Sequence, residues 1–149
     1  MTDESLRVRA ERLLPEGEDL ILVILKGHLL IEEQLELVLE HLSRSPGELQ
    51  DARLTFAQRF RLVRALTGNP GTEVCRFIKN LNSLRNQLMH QAEHPNLTEA
   101  IDRLLEGDFL HGDASDAERA AWLRMNIGIA LGFLYSLASH VQPVGVAGR

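Results

Sequence analysis

The chain has 149 residues, of which 44% are hydrophobic and 25% charged, with a formal net charge of −5. That length suits one domain with one continuous core, the balance excludes a disordered chain, and the acidic total excludes broad, unassisted binding to nucleic acid. One cysteine, Cys75, excludes an internal disulfide and a cysteine-based zinc cluster, and is expected to serve as a small buried apolar residue on a helix.

The charge is unevenly spread. Residues 1–50 carry five basic and eleven acidic side chains, residues 51–95 seven and three, and residues 96–149 four and seven. A basic middle is thus flanked by two acidic segments. Residues 1–19 hold no continuous apolar stretch, so no secretory signal is expected. The apolar run at 20–25 is soon interrupted by Lys26, His28, Glu32 and Glu33, too early to span a bilayer. A cytoplasmic protein without membrane contact is the expectation.

In chain order, the spacing predicts a short first helix over 3–14, with Leu6, Leu13 and Leu14 on one side, ending near Pro15-Glu16-Gly17. A long helix follows over 20–42, where Leu20, Ile24, Ile31, Leu35, Val38, Leu39 and Leu42 populate one apolar stripe. Gly27 weakens that helix intrinsically and marks either close packing or a mild bend. Ser45-Pro46-Gly47 ends the unit.

Thr55 and Gln58 fit a capping box, which starts a helix over 55–66. Gly68-Asn69-Pro70-Gly71 is an abrupt turn. Thr72 is expected to cap a helix reaching residue 89. Asn96 with Glu99 signals a further start, for a helix ending by Gly107, and Ser115 with Glu118 signals the last, over 116–140. This last helix is apolar almost all round, as a central or interfacial helix would be, and Gly128 and Gly132 offer a place for close helix contact. Residues 143–149 are expected to form a flexible tail.

Six amphipathic segments with short joins and no alternating strand pattern define the expectation: an all-α, single-domain bundle of five or six helices over 1–142.

The polar residues with most chemical potential lie in RFIKNLNSLRNQLMHQ, residues 76–91. Val74, Phe77, Ile78, Leu81, Leu84 and Leu88 define its apolar face, with Arg85 at the edge. On ideal helix geometry His90 stands about 140° around from Arg85, and Asn86 lies one turn before His90. A simple intrahelical Arg85–His90 pair is therefore excluded. Two copies crossing at a symmetric groove would bring these groups around one substrate. Arginine would stabilise charge developing on a phosphate, histidine would move protons at a ribose 2′-hydroxyl or a departing 5′-oxygen, and asparagine would orient them. The same residues also fit a structural role, with Arg85 paired to a carboxylate, Asn86 at a packing edge and His90 at a helix terminus.

The run LNSLRNQLMHQ, residues 81–91, resembles the HEPN superfamily motif, an arginine followed by a polar residue and, a few positions on, a histidine. That resemblance implies a helical, frequently dimeric protein and a metal-independent endoribonuclease, with Arg85 and His90 as its catalytic pair and Asn86 as an auxiliary. It implies no cofactor, and an RNA substrate with an antitoxin or regulatory protein as partner. GHLLIEEQLELVLEHL, FAQRFRLVRAL and LRNQLMH together also resemble mannitol operon repressor-like proteins, which implies instead a noncatalytic helical regulator that binds a partner protein.

Other polar groups are read against this segment. His28 and Glu32 are one turn apart and form a candidate hydrogen-bonded pair, without the second histidine that a common zinc site needs. His41 suits a helix C-terminus. Arg53, Arg59, Arg61 and Arg64 concentrate positive charge. Of these, Arg61 and Arg64 are candidates to guide an RNA backbone, while pairing with glutamates of the 20–42 helix is the alternative. Trp122 and Tyr135 are isolated, as packing residues would be. Direct DNA regulation lacks a recognition-helix motif.

Overall fold

The computed structural model describes residues 3–105 and 113–140 of the chain. Among the described residues every regular element is a helix: α1 (Asp3–Leu13), α2 (Leu20–Leu42), α3 (Pro46–Asp51), α4 (Phe56–Thr67), α5 (Thr72–His90), α6 (Leu97–Leu104) and α7 (Asp116–His140). The expected end of the sixth helix at Gly107 and the expected tail over 143–149 fall outside the described residues.

Seven helices replace the expected five or six because α3 occupies the segment read as a break. Its Pro46 sits in the first turn, where the missing N–H has no helical partner to lose and the fixed φ suits the helix. A proline that ends one helix thus opens the next.

The caps explain most boundaries. Asp19 accepts a hydrogen bond from the Leu22 amide at the start of α2. Thr55 and Gln58 form the full reciprocal capping box at α4, and Ser115 with Glu118 makes the same pair of bonds before α7. Gly68 closes α4 in the left-handed region at φ 79°.

Two capping expectations are corrected. The cap of α5 is Gly71, not Thr72, which is already the first helical residue. Gly71 is left-handed at φ 71°, and a Cβ there would stand 2.6 Å from the Phe133 ring, so glycine alone fits both the backbone and the space. At α6, Asn96 makes no side-chain cap, and its backbone carbonyl instead takes the Ala100 amide.

The core is built around α2 and α7, which share the most extensive packing, with α4 and α5 laid against α2. Val23, Ile24, Ile31, Leu35 and Val38 of α2 meet Leu123, Ile127, Leu131 and Leu134 of α7 in one cluster that includes Ile78 and Leu81 of α5. Each such side chain contributes about 1.5–3 kcal/mol when fully buried. Trp122 and Tyr135 pack half-buried against the same cluster. Cys75 is buried as expected and its thiol donates to the Pro70 carbonyl at 3.3 Å.

Gly27 resolves in favour of close packing. It is buried where α2 meets the side chain of Ile127. Gly128 and Gly132 do not play that part, because the space where their Cβ atoms would stand is open. Between α6 and α7, the buried Arg119 donates to both carboxylate oxygens of Asp102 at 2.8 and 3.1 Å and to the Ala114 carbonyl.

α7 is long and apolar enough to cross a membrane by length and composition, and a third of its most apolar window is buried in the fold. A core helix of a bundle passes the same test.

Candidate functional site

The candidate site is one face of α5 together with the part of α2 beneath it. Leu81, Leu84 and Leu88 are buried, which fixes the rotation of α5 and leaves Arg85 half-buried, with Asn86, Met89 and His90 exposed. Asn82, Arg85, Asn86 and Met89 follow the three- and four-residue spacing of a single helical face. Arg85 donates to the Asn86 side-chain oxygen at 3.2 Å. His90 stands in the last turn of α5.

Among the described residues no carboxylate pairs with Arg85. Arg59 contrasts with it: that guanidinium is held by Glu32 and Glu36, each at 2.8 Å, so the reading of basic residues as partners of α2 glutamates holds for Arg59. Arg64 lies over the Phe60 ring at 5.5 Å and donates to Asn69 at 2.6 Å, whereas Arg61 is exposed. Arg64 is thus engaged at the end of its own helix.

Beneath Arg85 the structure corrects one expectation and adds a residue. His28 does not pair with Glu32, which is taken by Arg59; its Nε2–H is given to the Asn82 side-chain oxygen at 2.8 Å, across the α2–α5 contact. Helix spacing within α2 made Glu32 the obvious neighbour, but burial of His28 turns its ring toward α5. The ring stacks on Phe56 with centroids 4.3 Å apart. Asn82 was not singled out in the sequence, and its only signal there is its position one turn before Arg85 and Asn86.

Burial lowers the His28 pKa from its ordinary value. The hydrogen bond that His28 donates to Asn82 opposes that shift, the positive charge of Arg85 adds to it, and Glu32 opposes it weakly. The neutral imidazole therefore belongs to the folded state. Because the folded pKa lies below the unfolded one, this group's stabilisation is complete above about pH 6.5 and is lost as pH falls from there through the folded value. Thermal unfolding followed from pH 7.5 to pH 5 is expected to show a falling midpoint that flattens in His28→Gln. An equal fall in wild type and variant would place the acid sensitivity elsewhere.

Arg85 and His90 diverge around a single α5, as the helical geometry requires, so one chain presents them on different sides of the helix and does not enclose a substrate between them. Among the described residues no cluster of three or more histidine, cysteine, aspartate or glutamate side chains could hold a metal ion. No family model matches the chain, and no curated protein or solved structure matches it either.

Proposed function

We propose that this helical bundle is a cytoplasmic, metal-independent endoribonuclease that acts as a homodimer, with α5 of two copies forming one composite site. The observation that carries the reading is the state of Arg85: half-buried, oriented by Asn86 and not neutralised by any described carboxylate, on the same exposed helix end as His90. A guanidinium left unpaired at a surface is available to a phosphate. The exposed Met89 between the two gives the polar face an apolar contact point for a second copy.

In this mechanism the internal ribose 2′-oxygen attacks the adjacent phosphorus, and the bond from phosphorus to the 5′-oxygen breaks. His90 of one copy takes the 2′-hydroxyl proton, and His90 of the other gives a proton to the departing 5′-oxygen. Arg85 stabilises the charge on the phosphoryl oxygens, with Asn86 holding its plane. The products carry a 2′,3′-cyclic phosphate and a 5′-hydroxyl. Arg61 is exposed and free to steer the strand electrostatically, and an antitoxin or regulatory protein would cover this face. Cleavage of a labelled RNA in chelator, with end-group analysis, tests the reading; products with 3′-hydroxyl ends would refute the chemistry.

A second reading, a noncatalytic regulator resembling mannitol operon repressor-like proteins, is favoured by a different observation. A groove of about 770 Å³ runs between α1 and α7, floored by Leu6, Leu14 and Leu131; Met125 in its lining is 45% exposed, and Ile129, four residues further along α7, is 50% exposed. An apolar surface of this kind suits a partner helix. Under this reading, Met125→Glu with Ile129→Glu abolishes association in sedimentation analysis while the far-ultraviolet spectrum stays helical; association unchanged by the pair would count against it.

A further inference from the structure

On the other flank of α5 a polar groove runs between α5 and α6, in two adjoining parts of about 420 and 220 Å³ that share Gln87 and Arg103. Its floor is Leu84 and Leu88, which also anchor the catalytic face, so the groove and the candidate site are rigidly connected. One wall is a helical stripe of α5, Asn80, Gln87 and Gln91; the other is Asn96 and Arg103, with His94 from the intervening loop.

Two features give this groove a chemistry. Among the described residues no carboxylate lines it, although the chain carries 21 acidic residues, and Arg103 has no salt-bridge partner there. The amide side chains, each offering donors and an acceptor, are likewise spent on no described protein group. One unpaired guanidinium, one imidazole and a row of amides match a ligand that combines a phosphate with a hydrogen-bonding heterocyclic edge. The larger part stands at the low end of ligand-site volumes, about 300–1,000 Å³, which suits one nucleotide and not a longer segment. Among the described lining residues His94 carries the one aromatic ring, so recognition rests chiefly on edges and phosphate, with no series of rings for stacking.

We infer that the α5–α6 groove binds a single nucleotide, its phosphate on Arg103 and its base edge on Gln87, Gln91 and Asn96. Resting on the ribonuclease reading, the source of that nucleotide is the strand itself. His90 adjoins Gln91 and stands one turn beyond Gln87, so the residue flanking the scissile linkage passes from His90 into the groove.

The test compares a dinucleoside monophosphate, which spans only the reacting linkage, with a tetranucleotide, using the full chain and Arg103→Glu. Arg103 is exposed, so the fold tolerates the change. The variant is expected to lower kcat/KM on the tetranucleotide about tenfold and to leave the dinucleotide within twofold, as loss of one charge-assisted hydrogen bond predicts. Adenosine 5′-monophosphate is expected to compete with the tetranucleotide alone. Equal effects on both substrates, or none, would overturn the assignment. If the wild type cleaves neither, the ribonuclease reading fails separately. Fluorescence anisotropy of a labelled mononucleotide then decides the groove: binding lost in Arg103→Glu supports a free-nucleotide site, and binding that is absent or unchanged by the variant overturns it.

Discussion

RNA incubated in chelator with His90→Ala or Arg85→Ala protein is expected to remain essentially uncut over times in which the wild type consumes it. General acid–base catalysis by a placed histidine is worth roughly 10²–10⁴ in rate. Stabilisation of developing phosphoryl charge is worth roughly 10²–10³. His90 is exposed and Arg85 is half-buried outside the apolar core, so neither change removes core packing, and each variant should unfold near the wild-type temperature. Loss of rate without loss of stability separates a catalytic role from the structural one.

The composite arrangement makes a sharper forecast. A mixed dimer of wild type with His90→Ala keeps both arginines but only one of the two histidines that the shared linkage needs. Excess His90→Ala protein should therefore suppress wild-type cleavage as subunits exchange. Activity that persists undiminished in both single variants removes Arg85 and His90 from the chemistry. Wild-type cleavage undiminished by excess His90→Ala, with subunit exchange followed by a labelled chain, removes the shared site.

The largest effect on stability is expected at Gly27. Helix propensity alone says that Gly27→Ala should stabilise α2 by up to ~1 kcal/mol. Packing says the opposite: the new Cβ would stand against Ile127 Cδ1 and 2.9 Å from its Cγ1, and Ile127 is fully buried. Overpacking of a filled core costs about 1–3 kcal/mol and sometimes more, against a total stability of about 5–15 kcal/mol. Gly27→Ala is thus expected to lower the urea midpoint, and Gly27→Val to leave little folded protein. Ile127→Ala should itself cost about 2–5 kcal/mol, but the double variant Gly27→Ala with Ile127→Ala should be more stable than the sum of its parts, because the added methyl enters the vacated space. A Gly27→Ala protein more stable than wild type would mean that α2 and α7 do not meet as closely as they do here.

Gly27 also shows where a sequence stops being readable. Its position in an apolar stripe said that it mattered, and left packing and bending equally open. Gly128 and Gly132 carried the stronger local pattern for close contact, yet open space surrounds them, while the single Gly27 makes the contact. Which helix crosses which, and at which residue, follows from the assembly of all the apolar faces at once. The same holds for His28: one turn of α2 offers Glu32, but Arg59 from α4 takes that carboxylate and Asn82 from α5 takes the imidazole.

Helices α2, α4 and α7 were legible because their signals are local: apolar periods of three and four, capping boxes at Thr55 and Ser115, and a glycine stop at Gly68. α3 was not, since a proline in a first helical turn looks the same in sequence as one in a loop. Arg85, Asn86 and His90 could be placed on one helix by counting, and their angular relation followed from helical geometry alone.

What the sequence by itself determined, then, is an all-helical chain, the rotation of α5, the edge position of its arginine and the exposure of its asparagine and histidine, because these depend only on residue spacing and burial of the apolar face. The tertiary structure alone decided that, among the described residues, Arg59 and not Arg85 is paired with carboxylates, that Asn82 holds a buried His28 beneath the site, and that a groove lined by no described carboxylate lies on the far flank of α5. Those facts depend on which side chains reach one another across helices, and reach between helices is set by packing, not by distance along the chain.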